Sequence, residues 1–161
     1  MTGTAQKRPQ QSWPWPTCEV EQDSDARIVR WTDAANLLQD PPDGTPALGW
    51  FYADGTVGKE AHYQANELQD PPDGTPAVRW WDRDGRVEWE AHYQANHLQD
   101  PPDGTPAVRR FYLDGSVEGE GHYKGGRLQD PPDGSPAVRM LHPDGTVRGE
   151  SHWQAGEVQD D

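Results

Sequence analysis

The chain has a single cysteine, Cys18, among 161 residues, so no disulfide framework can hold it together, and a reducing compartment, the cytoplasm, is its expected location. It lacks any apolar run of about 18 residues, and Lys7 and Arg8 lead into no apolar segment, so neither a spanning helix nor a secretory signal is expected. Hydrophobic residues make up only 32% of the sequence, too few for a thick two-layer core. Bases are scarce as well: 14 Lys and Arg stand against 28 Asp and Glu, a formal charge of -14. A field of that sign repels nucleic-acid phosphates and anionic membranes and attracts basic proteins. It also keeps an edge-exposed β protein in solution.

What is abundant is placed periodically. The 17 glycines and 16 prolines recur at fixed positions beside the aromatic residues, which is punctuated structure and not the composition of a disordered chain. Residues 38–67, 68–97, 98–127 and 128–157 align without a gap as four copies of a 30-residue unit. Each begins Leu-Gln-Asp-Pro-Pro-Asp-Gly, passes through a bulky variable segment to a second Asp-Gly, and ends near a Glu-x-His-aromatic group. A fifth start appears at Val158. Ala35 and Asn36 fall in register with Ala65 and Asn66, so 26–37 reads as half of a degenerate leading copy, as terminal repeats often are. The domain organisation expected is a polar, flexible tail over 1–25 and a repeat domain over 26–161. Within the tail, Trp13-Pro14-Trp15-Pro16 is a candidate docking segment.

Turn chemistry predicts two reversals and two strands per copy. Pro42-Asp43-Gly44 and its equivalents suit a type I turn followed by a left-handed glycine, and so does the second Asp-Gly at 54, 84, 114 and 144. With one bulge at that glycine, Ala77, Arg79 and Trp81 share a face with Val87, Trp89, Ala91 and Tyr93. This is the expected core side, with Phe51, Phe111 and Leu141 in the other copies. The opposite face is expected to carry a recognition surface: Trp50, Glu60, His62, Trp80, Glu90, His92, Arg110, Glu120, His122, Met140, Glu150 and His152. Trp, Arg and Met are enriched at interface centres, and position 50, with its equivalents at 80, 110 and 140, varies within an otherwise constant frame.

The segment Leu113-Asp114-Gly115-Ser116-Val117-Glu118-Gly119-Glu120-Gly121-His122-Tyr123-Lys124-Gly125-Gly126-Arg127 resembles the MORN repeat, whose pattern runs D-G-x-x-Y-x-G-x-W into a G-K-like turn. Val147–Trp153 looks similar. The likeness covers about half of each unit; the period here is longer, Val117 replaces the leading Tyr, and Pro-Pro-Asp-Gly-Thr-Pro replaces the linking glycines. The resemblance implies an elongated antiparallel β-hairpin array that binds proteins or lipid headgroups, with antitoxins among bacterial relatives. The acidic charge counts against the lipid branch.

No catalytic, metal or cofactor role is expected. Equivalent histidines two strands apart lie about 9–10 Å from each other, too far to share one zinc ion. The Asp40–Gly44 turn lacks the alternating oxygens and closing Glu of a calcium loop. A Glu/His acid–base pair repeated in every copy is unlike a single catalytic centre. The function expected is therefore an intracellular, non-enzymatic protein-binding module, of antitoxin or immunity type, engaging a basic partner. The alternatives are a scaffold that self-associates through sheet edges, and an acidic DNA mimic that inhibits a DNA-binding protein.

Overall fold

A computed structural model describes residues 17–22 and 24–159. These form an all-β, antiparallel hairpin array with seventeen strands. The leading hairpin is β1 (Thr17–Gln22) and β2 (Ala26–Thr32). The first copy contributes β3 (Leu48–Tyr52), β4 (Val57–Ala61), β5 (Tyr63–Gln64) and β6 (Glu67–Leu68), and the second β7 (Val78–Trp81), β8 (Val87–Ala91), β9 (Tyr93–Gln94) and β10 (His97–Leu98). The third gives β11 (Val108–Phe111), β12 (Val117–Gly121), β13 (Tyr123–Lys124) and β14 (Arg127–Leu128), and the last β15 (Val138–Leu141), β16 (Val147–Gln154) and β17 (Glu157–Gln159). The main sheet is open and runs in the order β1-β2-β3-β4-β7-β8-β11-β12-β15-β16-β17, the connections from β4 to β7, β8 to β11 and β12 to β15 passing through the short strand pairs between them. Among the described residues, no helix is long and apolar enough to cross a membrane.

The predicted turns form as read. Gly44 donates its N–H to Pro41 O and sits at φ 85°, and Asp43 caps the turn by accepting from Thr45 N. At the second turn Gly55 donates to Tyr52 O, Tyr52 N donates to Thr56 O, and Asp54 accepts from Thr56 N, which closes the hairpin with its bulge at the left-handed glycine.

Three features depart from the sequence reading. Thr17–Gln22 is a strand, not part of a tail: Cys18 pairs with Trp31 and Val20 with Val29, and Arg30 binds Glu21 at 2.6 Å. Its short alternation is bounded by no turn signature of the repeat type. Trp13-Pro14-Trp15-Pro16 lies outside the described residues. The second feature is a third reversal in each copy. The chain leaves the main sheet at His62, and β5 and β6 make a small ribbon whose two central residues, Ala65 (φ 48°) and Asn66 (φ 69°), are both left-handed, as a two-residue turn of this twist requires.

The third departure is a second bulge in the main-sheet hairpin of every copy. Trp81 pairs with Val87, but Trp80 pairs with Trp89, Arg79 with Glu90 and Val78 with Ala91. One residue, Glu88, is extra. A one-residue slip exchanges the faces of everything beyond it, so Trp80 lies with Trp89, Ala91 and Val78, and Arg79 and Trp81 lie on the reverse with Glu90. The expected core side and the expected recognition face are thus each divided. The same shift occurs at Trp50/Phe51, Arg110/Phe111 and Met140/Leu141.

The core is thin. Ala61, Ala77 and Val78 are buried under Leu48, Tyr63, Leu68, Trp89 and Tyr93, so the small ribbons cover the tryptophan-bearing face of the sheet. Among the described residues, no large side chain is fully buried. Holding an alanine left-handed costs about 1–2 kcal/mol relative to glycine, and the third copy already has Gly125-Gly126 at this turn. Ala95→Gly, at φ 46°, is expected to raise stability by about 1 kcal/mol, read from the midpoint of urea unfolding.

Candidate functional site

The constant residues of the repeat hold the hairpins together. Asp40 Oδ1 accepts from both Ala47 N and Tyr63 N, Asp40 N donates to Tyr63 O, and Asp40 Oδ2 meets His62 Nδ1 at 2.6 Å. One carboxylate therefore ties the start of the first strand to the end of the second. The arrangement recurs at Asp70–His92, Asp100–His122 and Asp130–His152, each at 2.6 Å. Gln39 assists by accepting from Ala65 N, which pins the strained left-handed turn. His62, His92 and His122 are buried, whereas the His152 side chain is 37% exposed. The hydrogen bond that the His122 ring donates to Asp100 raises the His122 pKa above the ordinary histidine value against the opposing effect of burial. Burial pushes Asp130 up, but the N–H groups of Trp153 and Ala137 and the His152 ring outweigh it and hold its carboxyl low.

The glutamates are engaged too. Cross-strand pairing places Glu60 opposite Arg79, Arg79 opposite Glu90, Glu90 opposite Arg109, Arg109 opposite Glu120, Glu120 opposite Arg139 and Arg139 opposite Glu150. The result is one row of alternating charge across the reverse face. Glu90, only 6% exposed, binds Arg109 at 2.6 Å and Arg79 at 3.1 Å. The guanidinium groups also lie over the aromatic rings beside the row: Arg27 on Phe51, Arg79 on Trp81 and Arg109 on Phe111. The Glu and His positions thus share the ladder face and are turned toward neighbouring hairpins. The three buried histidines offer a partner little surface.

Trp50, Trp80, Arg110 and Met140 occupy the other face, where a second row crosses the sheet: Ile28, Trp50, Lys59, Trp80, Trp89, Arg110, Gly119, Met140, each opposite the next. Lys59 and Trp89 belong to this surface and were not among the sequence candidates. Their signal was the hairpin register, which a parity count with a single bulge misplaces. Lys59 Nζ lies 4.7 Å from the centre of the Trp80 ring, and partial burial lowers its pKa below the ordinary lysine value. Among the described residues, no carboxylate pairs with it. Trp80 is 42% exposed.

Glycine shapes the strip. A Cβ on Gly58 would fall 2.2 Å from the Trp50 ring, so the missing side chain lets that ring lie across β4, where it meets Tyr52 edge-on at 4.7 Å. The later copies have Glu88, Glu118 and Arg148 at this position. Gly119 likewise accommodates Met140, whose Sδ would lie 2.8 Å from an added Cβ. Two hollows result. One of about 430 Å³ is framed by Trp50, Lys59 and Trp80 above Ile28, Arg30 and Leu48, and one of about 770 Å³ lies beyond Trp80 and is lined by Trp89, Arg110 and Tyr112.

Two outcomes test the clamp. Asp70→Ala leaves the buried His92 ring and two N–H groups without their acceptor, so it should cost at least about 1–3 kcal/mol, the penalty for one buried unsatisfied group, measured by denaturant unfolding. Because the folded pKa of His122 is raised, the Asp100 bond favours folding fully below the unfolded histidine pKa, and that contribution is lost as pH rises through the folded value. In an NMR titration of the ring, Asp100→Asn should lower the His122 pKa. Comparison of the chain with protein-family models, curated proteins and solved structures finds no match, so its function is argued from this geometry.

Proposed function

We propose that the protein is a non-enzymatic protein-binding module, of antitoxin or immunity type, that docks its partner on the tryptophan face. The observation that carries this reading is the strip itself: exposed Trp80 beside the uncompensated cation Lys59, continued by Trp89, Arg110 and Met140. Buried aromatic and Arg anchors dominate binding energy at protein interfaces, and in this strip Trp80 and Arg110 stand exposed, outside the hydrophobic cluster that Trp89 helps to cover. The MORN-like resemblance points the same way.

The surrounding field favours a basic partner. Hydrogen bonds from the hydroxyl groups of Thr45, Thr105 and Ser135, and from the N–H groups of the same residues, lower the pKa values of Asp43, Asp103 and Asp133 at the loop tips, so these acids stay charged well into the acidic range. Long-range attraction of this kind acts on the association rate and weakens with salt.

Self-assembly is the second reading. Among the described residues, no strand pairs with the outer edge of β16 from Val147 to Ser151, since β17 meets it only from His152 to Gln154. An open edge of this kind is a template for another strand. A single monomeric mass across a rising concentration series by light scattering would remove this reading.

The binding reading is tested with the product of the neighbouring gene as candidate toxin. Trp80→Ala should weaken neutralisation by about 30-fold or more, the effect of losing an anchor worth ~2 kcal/mol, while Val158→Ala, at an exposed position on β17 away from the strip, leaves it intact. Raising salt should slow association. A Trp80→Ala protein that is folded and neutralises as well as the native chain would overturn the assignment of this face.

A further inference from the structure

Resting on that reading, we propose that the hollow between Trp50 and Trp80 receives an extended polyproline-II segment of the partner protein, with a carboxylate of that segment placed on Lys59.

The direction of the strip selects the conformation. The row from Trp50 to Trp80 runs across the strands, and a sheet face offers no unpaired backbone N–H or C=O to a ligand lying on it. A β-strand ligand would leave its own backbone groups unmatched there, whereas a polyproline-II segment has no internal hydrogen bonds to lose and keeps its backbone solvated. An α-helix, about 10–12 Å across with its side chains, is too wide for a hollow of about 430 Å³. The spacing agrees as well. The backbone positions of Trp50 and Trp80 stand two strands apart, with Lys59 between them, a separation of about 9.5 Å. A polyproline-II helix repeats every three residues at about 9.3 Å, so its repeat matches the spacing of these positions, and aromatic-lined grooves read such segments.

The charge selects the residue between them. The charged groups lining the hollow are Arg30 and Lys59. Arg30 already binds Glu21 at 2.6 Å, whereas Lys59 has no carboxylate partner among the described residues and lies half-buried against Trp80. A single anionic side chain held between two aromatic walls completes that cation. The overall charge of -14 favours a monoanionic carboxylate over a dianionic phosphate at the same place. The site is particular to the first joint. The next two joints place Trp80, Trp89 and Arg110, and then Arg110, Gly119 and Met140, in the equivalent positions, and Gly58, which seats the Trp50 ring, has Glu88 and Glu118 as its counterparts.

Three fluorescein-labelled dodecapeptides of repeating Pro-Pro-Asp, Pro-Pro-Lys and Gly-Ser-Asp separate conformation from charge when titrated with the full chain and followed by anisotropy. The Pro-Pro-Asp peptide should bind at least about tenfold more tightly than either of the others. Lys59→Ala should abolish the preference for Asp over Lys while keeping the preference for proline. Trp80→Ala and Gly58→Glu, each verified as folded by circular dichroism, should remove both. Equal binding of the three peptides, or tight binding of Pro-Pro-Asp that survives Trp80→Ala, overturns the proposal. Gly-Ser-Asp binding as well as Pro-Pro-Asp also overturns it, leaving a plain anion site. If the peptides fail but Trp80→Ala still abolishes neutralisation, the slot is wrong and the face stands. If neutralisation is also unaffected, both readings fall.

Discussion

Each copy of this repeat depends on one carboxylate. Asp40 and its counterparts accept two main-chain N–H groups and meet a histidine ring, in a protein whose buried hydrophobic core, among the described residues, is six alanines and one valine. With so little hydrophobic area removed from water, burial alone does not hold two hairpins in register. Charge-assisted hydrogen bonds, each worth about 1.5–3 kcal/mol, supply the tie at the point where the chain leaves the main sheet. The prolines flanking the clamp reinforce it by restricting the unfolded chain, and the left-handed turn at Ala65-Asn66 persists because Gln39, next to the clamp, accepts from Ala65 N.

The ladder of Glu and Arg is the complement of that clamp on the same face. It joins copy to copy, as the clamp joins strand to strand within a copy. Glu90 touches arginines on both sides, and Arg139 touches glutamates on both sides. Together the two devices occupy the constant residues and leave the tryptophan face free of structural duty except where the small ribbons cover it. Recognition is proposed on the part of that face that the ribbons leave open.

The period, the two Asp-Gly-type turns and the antiparallel hairpin architecture were legible because Pro, Asp and Gly each act there through local backbone geometry. The sidedness of the strands was not. The bulge that reverses it falls at Gly58, Glu88, Glu118 and Arg148, four residues with no common chemistry, so no local preference marks it. The bond from Asp40 to His62 was hidden for another reason: in the sequence, Asp40 is explained well enough as a turn residue, and His62 reads as a surface group beside Glu60. Trp50, Trp80, Arg110 and Met140 were found from their residue types and their variability within a constant frame, but parity put them on the face of Glu60 and His62 and left out their neighbours Lys59 and Trp89.

Every clamp closes within its own copy, since Asp40, Ala47, His62 and Tyr63 all lie between residues 38 and 67, and every rung between copies is made in the same register. Exchange of whole units between copies, by duplication, loss or shuffling in the gene, therefore returns a chain whose joints all still fit. What changes is the order in which Trp50 with Lys59, Trp80 with Trp89, Arg110 with Gly119 and Met140 with Gly149 follow one another across the sheet. The binding face is in this sense a short text written in movable type, and it can be reset without recasting the frame that holds it.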